Sequence, residues 1–66
     1  MISYEPLFQT LEEKGMKLFD VEKGLNFSPT ITAKFRKNEY TSLRTLEQIC
    51  LFLDVPIEKV VKITKE

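Results

Sequence analysis

Apolar residues recur three and four positions apart through most of the chain: Leu7 and Leu11, Val21 and Leu25, then Leu43, Leu46, Ile49, Cys50 and Leu53. At about 100° per residue that spacing gathers them on one side of a helix, so the pattern predicts a series of short amphipathic helices. No segment alternates with strand period for long, although VVKIT near the C-terminus is β-branched and short enough to be ambiguous. The reading is all-α, with helices at about 5–14, 18–25, 29–37, 43–53 and 57–63 and no sheet.

Punctuation residues place the ends. Ser3 is a candidate cap with Pro6 in the first turn of helix one; Leu7, Phe8 and Leu11 form its stripe, and Gly15 supplies the left-handed residue that closes it. Asn26 tolerates the left-handed conformation better than most residues and closes the second helix as glycine would. Ser28 then caps the third helix with Pro29 at its first position, where the missing N–H leaves nothing unsatisfied. Ser42 caps the fourth, with Glu47 too far on for a capping box. Pro56 ends the fourth helix and opens a fifth carrying Ile57, Val60, Val61 and Ile63.

Length and composition narrow the class. Sixty-six residues make a single domain, and 42% hydrophobic with 30% charged side chains is too apolar for a disordered chain. Nothing approaches the roughly 18 apolar residues of a membrane span, and MISYEPLF does not read as a signal peptide. A cytoplasmic, nucleoid-associated protein is therefore expected, with no membrane partner. The single cysteine, Cys50, lies in the apolar run ICLFL and reads as a small core residue. With no histidine, no glycine-rich phosphate loop and no paired carboxylates enforced by helical spacing, an enzyme is disfavoured and no metal, cofactor or small-molecule ligand is implied.

Charge changes the picture more. The total is zero, which counts against a nucleic-acid partner, yet residues 28–45 carry Lys34, Arg36, Lys37 and Arg44 against Glu39 alone. In the third helix Thr32 and Phe35 share one side, while Thr30, Ala33, Lys34 and Lys37 cluster on the other. Two short helices joined by a tight turn, the second capped by Ser-Pro and outwardly small and basic, is the helix-turn-helix arrangement. The bland alternative is a lysine-bearing helix that merely faces water.

The succession LFQTLEEKGM, LFDVEKGLNFSPTITAKFRKNE and TSLRTLEQICLFLDVPIEKVV resembles the Cro/phage-repressor type of helix-turn-helix regulator over about residues 4–61. That resemblance implies a five-helix, lambda-repressor-like domain spanning residues 1–66, a double-stranded DNA partner and a recognition helix at about 29–37 in the major groove. By the same resemblance Ser28, Pro29, Thr30 and Ala33 approach the groove. Lys34 and Lys37 reach guanine or phosphate, and Lys17, Arg36 and Asn38 reach phosphate.

Val21, Leu25, Phe27 and Phe35 fill the family's apolar positions, and Asn26 replaces its usual glycine. Three positions depart from the pattern. Leu18 stands where a phosphate-binding glutamine is frequent, Glu22 where alanine is usual, and Thr32 where an aliphatic residue is usual. A glutamate at that helix crossing must tilt outward or find a partner.

Leu51 falls beside Arg44, Glu47 and Gln48 on the helical wheel, away from the core stripe. With Phe52, Val61 and Ile63 it is read as a homodimerisation surface, against the equally ordinary reading of one scattered exposed leucine. The competing function is a helical protein-interaction module without DNA binding, favoured by the zero net charge and by Leu18, Phe19 and Leu51.

Overall fold

In the computed structural model, which describes residues 1–65, the periodic segments form four α-helices: α1 (Glu5–Glu13), α2 (Leu18–Leu25), α3 (Pro29–Arg36) and α4 (Leu43–Leu53). The fifth helix expected at 57–63 is absent. Ile57–Lys59 make a single 3₁₀ turn, and Lys62–Ile63 form a strand, β2, antiparallel to β1 (Ile2–Ser3). The five-helix, sheet-free expectation is thus corrected to four helices, a turn and a two-stranded clamp.

The reason lies in what the end of the chain meets. Nucleating a helix in a segment this short is unfavourable, and Val60, Val61, Ile63 and Thr64 are stiff, β-branched residues. The extended alternative offers long-range partners: Leu7 N–H donates to Val60 C=O at 3.1 Å, and Thr64 N–H to Met1 C=O at 2.9 Å. Ile2 faces Ile63, and Ser3 faces Lys62. Thr10, buried on α1, donates its hydroxyl to Lys59 C=O at 2.7 Å, which ties the 3₁₀ turn to the first helix.

All four helices close with one device. A residue in the left-handed region, Gly15, Asn26, Asn38 or Asp54, is followed by a residue whose N–H reaches back five positions. Met16 donates to Leu11 C=O at 2.8 Å, Phe27 to Glu22 at 2.9 Å, Glu39 to Lys34 at 2.9 Å and Val55 to Cys50 at 3.0 Å. This is the Schellman closure, and Met16, Phe27 and Val55 add the apolar contact that usually accompanies it by packing on the core.

N-termini are less uniform. Ser28 and Ser42 accept from Ile31 and Thr45 N–H as expected, at 3.4 and 3.1 Å. Tyr4 takes the N-cap position of α1 in place of Ser3, whose hydroxyl accepts from Glu5 N–H instead. At α2 the Asp20 carboxylate accepts the Lys17 N–H at 2.8 Å, half of a capping box, since a lysine side chain has no acceptor to complete it.

The core is built from Tyr4, Leu7, Leu11, Leu18, Val21, Phe35, Leu46, Ile49, Leu53 and Val60. Three expected core positions lie elsewhere: Phe8 and Leu43 are exposed, and Cys50 is only half-buried at the edge. Phe52 leans across to α2. A Cβ on Gly24 would lie 2.4 Å from Phe52 Cζ, so the missing side chain is what lets the ring seat there.

Candidate nucleic-acid interface

The pairing of α2 and α3 through residues 26–28 depends on how two short helices are locked together. Val21 from α2 and Phe35 from α3 are both buried in the common core, with Leu25, Phe27 and Ile31 packed at its margin. Between them sits the polar contact that replaces the usual apolar crossing. Thr32 is 2% exposed, and its Oγ1 donates to Glu22 Oε1 at 2.6 Å, with Pro29 C=O a second acceptor at 3.1 Å. Glu22 is half-buried. The two departures in the sequence therefore answer one another: the carboxylate has found its donor, and the donor its acceptor. Among the described residues no buried side-chain polar atom lacks a partner.

With Thr32 and Phe35 turned inward, the opposite side of α3 presents Thr30, Ala33, Lys34 and Lys37. Thr30 and Lys37 are exposed, and Ala33 and Lys34 are half-buried. Ser28 and Pro29 lie exposed at the start of the helix, and Arg36 is exposed on its flank. Lys17 is exposed at the N-terminus of α2. Among the described residues the one side-chain ion pair is Lys62 with Glu5, at 3.6 Å, so none of Lys17, Lys34, Arg36 or Lys37 is paired with a carboxylate.

Two positions expected at the interface or near it have other work. Asn38 is exposed, but it is the left-handed residue closing α3, and its Oδ1 accepts the Tyr4 N–H at 3.0 Å. Leu18 is 6% exposed and belongs to the core, which removes it from the apolar surface that the interaction-module reading invoked. Phe19 does stay outside, 57% exposed, with the Lys23 ammonium 5.4 Å from its ring centre.

Sequence reasoning missed Tyr4. It is fully buried, meets Phe35 edge-on with ring centroids 4.8 Å apart, and bonds the segment after α3. A lone aromatic ahead of the first helix belongs to no periodic pattern, so only the fold shows its place.

The outer face of α4 carries Leu43 and Leu51, each 75% exposed. Leu43, Arg44, Glu47 and Cys50 line an open groove of about 620 Å³ together with Ile57. Burial pushes the Cys50 thiol up from its ordinary value, with Glu58 adding to the rise against a backbone hydrogen bond that lowers it, so it is protonated at neutral pH. Of the other residues expected to mediate dimerisation, Ile63 is exposed on β2, Val61 is half-buried against the core, and Phe52 has its ring on Gly24.

A capped, outward-facing basic helix, braced by a second helix across a tight turn and embedded in a four-helix core, defines the helix-turn-helix class. The chain matches the Cro/C1-type HTH DNA-binding domain over residues 7–66 and belongs to that family. It is also similar to a solved structure described as the transcriptional regulator VanUg, with a TM-score of 0.94 and 29% sequence identity, covering 98% of this chain and 87% of that one. Among curated proteins none matches.

Proposed function

We propose that this protein is a sequence-specific, double-stranded DNA-binding transcriptional regulator whose α3 enters the major groove. The observation that carries the reading is the division of α3: Phe35 and Thr32 are 1% and 2% exposed, which commits the opposite, unneutralised basic side to solvent. On that side Thr30 and Ala33 are small enough for close approach and suit a base edge or a thymine methyl, while Ser28 and Pro29 lead the helix in. Lys34 and Lys37 reach guanine or phosphate, and Lys17 and Arg36 bind phosphates on either flank. Asn38 offers a phosphate only its amide nitrogen, since its oxygen is engaged by Tyr4. The neutral total does not oppose this, because attraction is set by the local field.

The face of α4 supports a second part of the proposal, a homodimer centred on Leu51. Leu43, Leu51 and Ile57 are exposed apolar side chains on or beside this face, and Arg44 and Glu47 border the groove with both signs of charge, so a self-complementary two-fold contact meets no single-sign repulsion. The partner is accordingly a second copy of the chain, and the operator carries two inverted half-sites.

Selection from random duplexes tests both parts. Enrichment of an inverted repeat, with affinity that falls steeply with salt, is the expected result. No enriched sequence and no salt-dependent retardation would overturn the DNA reading; a single unrepeated site would overturn the dimer.

A further inference from the structure

We infer that Tyr4 and Asn38 form a tether by which the N-terminal segment positions the C-terminal end of α3, and with it Lys34, Arg36 and Lys37. The segment joining α3 to α4 has no helix or strand of its own. Tyr4 grips it at three places. Its Oη donates to Glu39 C=O at 2.8 Å and lies 3.2 Å from Thr41 Oγ1, and its backbone N–H donates to Asn38 Oδ1 at 3.0 Å. A carbonyl can only accept, so the tyrosine proton goes to Glu39 and Thr41 is left to donate to the tyrosine oxygen. The ring meanwhile stands edge-on to Phe35, the inward anchor of α3, at an interplanar angle of 85°.

A phenylalanine would fill the same volume and keep the same edge contact. What the hydroxyl adds is a set of directional bonds to the backbone immediately beyond the basic turn. Asn38 is matched to this role: at φ 55° it closes α3, and the same residue presents its oxygen to Tyr4. Tyr4 is itself held from behind, because it links β1 to α1, and these are tied to Lys62–Ile63 and to Val60 C=O. Residues at the two chain ends thereby set where the basic end of the third helix lies. The mechanical half of this inference stands by itself; its consequence for DNA rests on the proposed function.

Three substitutions separate the tether from packing. Tyr4→Phe retains the ring and removes both hydroxyl bonds. Asn38→Gly retains the left-handed closure and removes the acceptor, whereas Asn38→Asp restores the acceptor. In native-state hydrogen exchange without DNA, the Lys37 and Glu39 amides are expected to exchange about five- to tenfold faster in Tyr4→Phe and Asn38→Gly, with α1 and α4 amides little changed and Asn38→Asp close to the parent. Uniform acceleration across the fold, or none, would overturn the tether. On the selected duplex, Tyr4→Phe is expected to lose about five- to tenfold in affinity with a smaller salt slope, while binding to random duplex hardly changes. Altered exchange with unaltered affinity would overturn the positioning role. If the parent chain selects no duplex, the proposed function fails, and the exchange result still decides the tether.

Discussion

Lys34 and Lys37 are the side chains on which the DNA reading can be read as a number. Both lie on the outward side of α3 with no carboxylate paired to them. Each phosphate they neutralise contributes about 0.9 to the slope of log affinity against log salt. Lys34→Ala and Lys37→Ala are each expected to weaken binding and to lower that slope by about 1 where the contact is to phosphate. A lysine that contacts a guanine shows itself differently, by relaxed preference at one base pair. An unchanged affinity and slope in both variants would place the interface elsewhere.

The contact between Glu22 and Thr32 makes an equally specific prediction. The threonine hydroxyl has Pro29 C=O as a second acceptor, so Glu22→Ala leaves it satisfied. Thr32→Val instead leaves a half-buried carboxylate without its donor. Thr32→Val is therefore expected to cost about 1 kcal/mol or more in denaturant unfolding, and Glu22→Ala much less. In the double variant most of the loss is recovered, because an apolar crossing needs no partner. Strictly additive losses would show that the bond is incidental.

At the scale of elements, short helices depend on their ends and on close contact with neighbours. The seating of Phe52 on Gly24 joins α2 to α4. Glycine inside a helix costs about 0.5–1 kcal/mol relative to alanine, so Gly24→Ala would ordinarily stabilise. Here the added methyl displaces the Phe52 ring, and the substitution is expected to gain nothing or to lose stability. In a Phe52→Ala background the same change is expected to stabilise by about 0.5–1 kcal/mol. Thermal melting of the four proteins in this cycle checks the change of sign, and equal effects in both backgrounds would refute the contact.

For the whole molecule, the surface splits between the basic side of α3 and the apolar side of α4. Leu51 is 75% exposed, so Leu51→Glu disturbs no core packing within one chain. It is expected to convert a dimer to a monomer in sedimentation, with operator affinity falling and the monomer fold intact. A parent chain that sediments as a monomer at every concentration, or a Leu51→Glu chain that still dimerises, would contradict the proposed face.

Much of this protein follows from local chemistry. The four helices, the left-handed closures at Gly15 and Asn26, the serine caps at 28 and 42 and the outward basic side of α3 are set by residues within a few positions of one another. The turn after α3 was legible in part, since Asn38 stood out in the sequence while its role in closing the helix did not. Whatever depended on distant partners was not readable. Val60–Thr64 form a turn and a strand because the N-terminus supplies their hydrogen bonds, and Leu43 and Phe8 stay outside because neighbouring elements cover only part of each stripe. The sequence by itself determined the helices and the helix-turn-helix, through spacing and caps. Only the tertiary structure decided that Glu22 and Thr32 satisfy each other and that Tyr4 bonds the segment at the end of α3, because the energy of a buried hydrogen bond depends on where the other atom is.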